Sequence, residues 1–109
     1  MVLAGKDCPN QPTVEDIAEA TVDVLKETVP DKVPGIVFLS GGLTPDQATE
    51  YLKVMNEKYK KELSWELSYS FGRALQQEGL KAWGGKMENI LQAQKVFLER
   101  CKKVSEARG

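Results

Sequence analysis

The stretch VPGIVFLSGGLTPDQATEYL, residues 33–52, indicates most about how this chain folds. Its apolar run at residues 36–39 is typical of a β-strand, and the strand is followed at once by Ser40, Gly41 and Gly42. Thr44 and Pro45 then have the signature of a helix start, with Gln47 placed to complete a capping box. Because two glycines cost conformational entropy on folding, they indicate either a tight connection or a ligand that approaches the backbone closely.

The same element types recur along the rest of the chain. Hydrophobic periodicity predicts helices over about 14–29, 45–59, 73–83 and 87–105, and strands over about 35–40 and 65–71. Thr13 is the expected N-cap of the first helix, and one apolar face of the last helix is expected to include Phe97 and Val104. The apolar run of the first strand does not alternate, which is typical of a strand covered on both faces. Strands that alternate with helices of this length predict an α/β fold with a parallel sheet and right-handed crossovers.

Composition limits the classes of function. The chain has 109 residues, enough for one domain, with 41% hydrophobic and 28% charged residues and a net charge of −1. A balanced charge predicts no nucleic-acid partner, and no apolar run is long enough to predict a membrane partner. Cys8 and Cys101 have no metal or redox spacing, which favours free thiols in a reducing cytoplasm. The chain contains no histidine, so a zinc enzyme or a serine–histidine triad is not expected.

A phosphate site is the main chemical hypothesis from the residues themselves. In parallel α/β folds the ligand site lies at the carboxyl ends of the strands. Ser40-Gly41-Gly42 would end the first strand there, and Ser70, Gly72 and Arg73 would end the second. Backbone N–H groups near helix N-termini together with one guanidinium favour an anion. The alternative is that the glycines only make turns and that Arg73 is a solvated side chain.

Three motifs, TVPDKVPGIVFLSGG, WELSYSFGRALQ and KAWGGKMEN, together resemble the C-terminal part of class I fructose-bisphosphate aldolases. The resemblance runs through nearly the whole chain and implies the last two β/α units of a (β/α)8 TIM barrel. It implies a cytoplasmic, glycolytic lyase that cleaves fructose 1,6-bisphosphate through a lysine Schiff base, with no metal or cofactor. Phe71 stands where many relatives have tyrosine. The residues that match the family's substrate phosphate site are Ser40, Gly41, Gly42, Ser70, Gly72 and Arg73.

The family's catalytic residues have no counterpart in this chain. Met1 falls just after the position of the family's Schiff-base lysine motif, and Lys6 lies in a polar loop that does not suit a reactive amine. The chain alone is therefore expected to be inactive, and to need the N-terminal part of the barrel or self-association. Two alternatives remain: a stand-alone, non-catalytic phosphate-binding module, or a helical interaction protein whose glycines only make turns.

Overall fold

The computed structural model describes residues 1–109. Its elements follow in the order helix, strand, helix, strand, helix, helix, as the sequence predicts. Short 3₁₀ turns at Lys60–Glu62 and Met87–Asn89 precede the second strand and the last helix. The regular elements are α1 (Val14–Thr28), β1 (Gly35–Phe38), α2 (Pro45–Tyr59), β2 (Glu66–Tyr69), α3 (Arg73–Trp83) and α4 (Ile90–Ala107).

Local sequence determines where α1 and α2 begin. The Thr44 hydroxyl accepts a hydrogen bond from the Gln47 N–H at 3.1 Å, and the Gln47 side-chain oxygen accepts one from the Thr44 N–H at 3.0 Å. Thr13 and Asp16 form the same reciprocal capping box before α1. Both predicted N-caps are confirmed, because each satisfies N–H groups that have no partner inside the helix.

The two strands form a parallel pair. Ile36 lies opposite Leu67 and Phe38 lies opposite Tyr69, so these four side chains share one face of the sheet. The Ser70 N–H donates to the Phe38 carbonyl at 2.8 Å just beyond the last residue pair. Because the strands are parallel and in register, their carboxyl ends lie side by side.

The core lies between this face of the sheet and the helices, with α2 at its centre. Leu52 and Met55 of α2, Val22 of α1 and Val104 of α4 are fully buried. The side-chain amide of the buried Asn56 donates to the Ala107 carbonyl at 2.9 Å, which fixes the end of α4 against α2. None of the four helices is both long enough and apolar enough to cross a membrane.

Four details of the sequence prediction differ from the structure of this chain. Both strands end two residues earlier than expected, and α4 begins at Ile90 because residues 87–89 form a 3₁₀ turn. The apolar run of β1 is covered on one face only: Val37 is 61% exposed and Leu39 is 71% exposed. The reason is that the sheet has two strands and the helices pack on the face that carries Phe38. Phe97 is 42% exposed, because α4 leaves the core toward its N-terminus, where α3 is its main neighbour.

Candidate anion site

The loops that follow β1 and β2 enclose one cleft of about 390 Å³. One wall is the turn after β1, and the other is the N-terminal end of α3. The cleft brings together five of the six predicted site residues, although they come from two separate parts of the sequence. Its lining residues are Leu39, Ser40, Gly41, Gly42, Leu43, Gly72, Arg73 and Gln77.

The turn after β1 explains one glycine on conformational grounds. The Leu43 N–H donates to the Ser40 carbonyl at 3.0 Å, and Gly42, the third residue of this turn, has φ +78°. This left-handed conformation strongly favours glycine over residues with a Cβ atom. Gly41 does not have a positive φ. A Cβ atom at this position would lie 3.0 Å from Cδ1 of Leu39, and the end of that leucine side chain can move. The turn alone therefore accounts for Gly42, whereas Gly41 is under a weaker steric constraint.

Donor groups in this turn have no partner within the protein. The N–H groups of Gly41 and Gly42 form no backbone hydrogen bond. Ser40 is only 7% exposed, and its hydroxyl group bonds to no protein group. The Ser40 oxygen is not fully enclosed, because no fully enclosed side-chain oxygen is left unpaired, and the residue lines the cleft. The turn thus presents donors without a protein partner beside the cleft, and these donors suit a ligand that accepts hydrogen bonds.

The N-terminal end of α3 forms the opposite wall. Its N-cap is Gly72, which has no side chain to cap the helix, in contrast to the threonine caps of α1 and α2. The Gly72 carbonyl accepts from the N–H groups of Leu75 and Gln76, at 3.1 and 3.2 Å. The N–H groups of the first helical residues therefore remain without an intrahelical acceptor, and the helix dipole makes this end positive.

Arg73 adds a full positive charge to this end of the helix. Its side chain is exposed and forms no salt bridge in the structure. Arg100 differs in this respect, because it is buried and paired with Asp46 and Glu78. The Arg73 guanidinium is thus available to pair with an anion, and it offers several donors in one plane.

One predicted site residue, Ser70, lies outside the cleft, and so does Lys6, which the sequence did not favour as a reactive amine. Ser70 is exposed, and although it directly follows β2 it does not line the cleft. Lys6 lines a separate pocket near the N-terminus, which shares Gly42 and Leu43 with the cleft. No group of three or more acidic or thiol side chains is arranged to hold a metal ion.

Gln77 is the polar lining residue that sequence reasoning missed. It lies in α3 four residues after Arg73 and reaches the same cleft. The signal was present in the spacing, because residues four apart share one face of a helix. Nothing in the sequence, however, indicated which face of α3 points toward β1.

Comparison with known proteins identifies the family. The sequence model described as "Glycolytic: Fructose-bisphosphate aldolase class-I" matches residues 1–109. The cytoplasmic isozyme 1 of fructose-bisphosphate aldolase from Pisum sativum is 56% identical over 107 residues, which are 98% of this chain and 29% of that protein. A probable class 1 fructose-bisphosphate aldolase from Xanthomonas axonopodis is 50% identical over 103 residues, 94% of this chain and 30% of the relative.

A solved structure agrees with these sequence matches. It is the fructose-bisphosphate aldolase of Plasmodium falciparum, in complex with TRAP and a small-molecule inhibitor. It superposes with a TM-score of 0.89 at 40% identity, covering 96% of this chain and 30% of that one. The chain thus spans about three-tenths of the length of the relatives it matches. With the family match over all its residues, this chain belongs to the class I fructose-bisphosphate aldolases.

Proposed function

We propose that this chain is the C-terminal, phosphate-binding part of a glycolytic class I fructose-bisphosphate aldolase. The enzyme it belongs to would cleave fructose 1,6-bisphosphate to dihydroxyacetone phosphate and glyceraldehyde 3-phosphate, and would catalyse the reverse condensation. The chain itself contributes no catalytic residue, and the Schiff-base lysine lies outside it. The observation that carries this proposal is that one cleft is lined both by the turn after β1, whose N–H groups have no backbone partner, and by Gly72 and Arg73 after β2.

The chemistry of the cleft suits a phosphate monoester. The ester is a dianion at neutral pH, since its second pKa is about 6, and it has three terminal acceptor oxygens. The N–H groups of Gly41 and Gly42, the Ser40 hydroxyl and the Arg73 guanidinium supply neutral and charged donors from two sides. Such a site anchors one end of the substrate, which fixes the position of the carbonyl carbon relative to catalytic groups elsewhere. The place of Ser70 in this site rests on the family resemblance alone.

The fold of the whole enzyme is part of the proposal. β1, α2, β2 and α3 would be the last two β/α units of a (β/α)8 barrel, whose phosphate sites typically follow strands 7 and 8. The exposed Val37 and Leu39 support this, because a two-stranded ribbon with one bare apolar face lacks the neighbours that a barrel provides. The partner for this face would be the N-terminal part of the barrel or another copy of the chain. The names of the plant relatives favour a cytoplasmic location.

A chimeric enzyme tests the proposal directly. The matching segment of the Pisum sativum isozyme is replaced by this chain, and cleavage of fructose 1,6-bisphosphate is measured. We expect an active chimera whose kcat/KM falls at least about tenfold on Arg73→Ala, since a charge-assisted hydrogen bond to the substrate is lost. Lys81→Ala is the matched control, because it removes the same charge from the same helix away from the cleft. A folded but inactive chimera, or equal effects of the two substitutions, would contradict the proposal.

One observation favours a second candidate, a stand-alone phosphate-binding module. The chain has its own hydrophobic core of 14 buried residues, contributed by α1, α2, α3, α4 and both strands. Titration of the isolated chain with dihydroxyacetone phosphate, followed by amide NMR, distinguishes the candidates. Saturable shifts at Ser40, Gly41 and Arg73 would support the module, whereas a folded spectrum without a response would restrict binding to the complete enzyme.

A further inference from the structure

Gln77 occupies a position from which it can reach a bound anion. In a helix, side chains point back toward the N-terminus and lie over the preceding turn. The Gln77 side chain therefore extends toward Arg73, one turn earlier in α3, and it lines the cleft opposite Ser40, Gly41 and Gly42. It is exposed and takes no part in the core, so the side chain is free to turn toward the cleft.

The Ser40 hydroxyl independently indicates that the cleft holds a ligand. It belongs to a residue that is more than nine-tenths buried and that lines the cleft on the β1 side, its oxygen is not fully enclosed, and it has no partner in the protein. A ligand that bonds to Ser40 and pairs with Arg73 lies between the turn and the first turn of α3. Gln77 borders this same space.

We propose that Gln77 is a further ligand of the phosphate group, its side-chain amide N–H donating a hydrogen bond to a phosphate oxygen. This inference rests on the phosphate site proposed above and adds a neutral donor to it. The amide differs from Arg73 in a measurable way: it carries no net charge, so its contribution to affinity depends little on ionic strength. In this arrangement the carboxamide oxygen would accept from the guanidinium one turn away, because residues four apart share one face of a helix, and the contact would hold Arg73 over the anion.

The test is a titration of the 109-residue chain with inorganic phosphate and with dihydroxyacetone phosphate at pH 8, followed by amide NMR at two salt concentrations. Gln77→Ala should weaken binding of both by about tenfold, the usual effect of losing one hydrogen bond to a charged group. Gln77→Glu should weaken binding more, because a carboxylate of nearly the same shape repels the phosphate. Arg73→Ala should also reduce the salt dependence of the affinity, whereas Gln77→Ala should leave it unchanged.

Gln76→Ala is the matched control. Gln76 is the adjacent residue and an identical side chain, but it lines the α3–α4 surface and not the cleft. Retained binding in this variant, together with the loss in Gln77→Ala, would support the proposal. If Gln77→Ala binds like the unchanged chain while Arg73→Ala is weakened, the role of Gln77 is refuted and the phosphate site stands. If the unchanged, folded chain gives no saturable response, phosphate binding by this chain alone is refuted, and with it the role of Gln77 there. The phosphate site of the complete enzyme is then decided separately by the chimera.

Discussion

Arg100 of α4 donates a hydrogen bond through Nη2 to Oδ1 of Asp46, in the first turn of α2, at 2.8 Å. The same guanidinium bonds to Glu78 of α3 through Nε at 2.7 Å and to the Thr49 hydroxyl through Nη1 at 3.1 Å. One side chain thus links three helices. Arg100 is only 4% exposed, while its two carboxylate partners reach solvent.

Replacement of Arg100 should destabilise the fold. Arg100→Ala removes three hydrogen bonds and the packing of a buried aliphatic stem, so we expect the free energy of unfolding to fall by about 2–3 kcal/mol. The loss is limited because the carboxylates left behind can be solvated. Urea unfolding followed by circular dichroism measures it. Lys102→Ala, an exposed position on the same helix, serves as the control, and equal effects would disprove the structural role of Arg100.

The ion pair also predicts a dependence on pH. The hydrogen bond and the charge of Arg100 lower the pKa of Asp46 below its ordinary value of 3.8. A lowered folded-state pKa stabilises the protein fully above pH 3.8, and this stabilisation is lost as the pH falls through the folded-state pKa. The stability difference between the unchanged chain and Asp46→Asn should therefore shrink below about pH 4. Because the Asp46 side chain is 86% exposed, the whole effect should stay below about 1 kcal/mol. A difference that is constant from pH 7 to pH 3 would contradict this account.

The two adjacent glycines should respond differently to alanine. Gly42→Ala forces a Cβ atom into a left-handed conformation and should cost about 1–2 kcal/mol of unfolding free energy. Gly41→Ala needs only a small shift of the Leu39 side chain and should cost less than about 1 kcal/mol. Urea titrations of the two variants under identical conditions measure the difference. The reverse order would show that close approach at Gly41, rather than the turn at Gly42, is the stronger constraint.

Ser40 should affect binding without stabilising the fold. Ser40→Ala removes a buried hydroxyl that has no partner in the protein, so thermal unfolding should be unchanged or shifted slightly upward. Phosphate affinity should fall about five- to tenfold, because the ligand loses a donor. Ser70→Ala is the comparison, since Ser70 does not line the cleft. Calorimetric titration with dihydroxyacetone phosphate decides between them, and a larger loss in Ser70→Ala would contradict the assigned geometry.

The parts of the fold that could be predicted from sequence are those determined by neighbouring residues. Thr44 and Gln47 define the start of α2 through contacts three residues apart. The start of α4 could not be predicted from a local capping signature. The side chain of its N-cap residue, Asn89, makes no capping hydrogen bond. In this chain Val37 is exposed on the second face of β1, since the sheet has two strands, and an apolar run does not reveal how many strands a sheet has.

The candidate site was predictable to a similar extent. Its backbone donors could be predicted because a strand end with glycines and a helix start with arginine each have a local signature. The place of Gln77 in the cleft could not be predicted, because it depends on which face of α3 meets the turn after β1. The same limit applies to Arg100, which lies outside the site. Arg100 is 54 residues from Asp46 in the sequence, and its charged side chain gives no local indication that it is buried.

The cleft formed by the turn after β1 and the start of α3 has a consequence for how such a site is inherited. Both walls come from one unbroken stretch of chain, residues 39–77, with α2 and β2 between them. A single recombination event between related genes would therefore transfer every proposed ligand of the phosphate together. The phosphate site could therefore pass from one gene to another as a single segment. The catalytic groups, which lie outside residues 39–77, could then evolve separately from it.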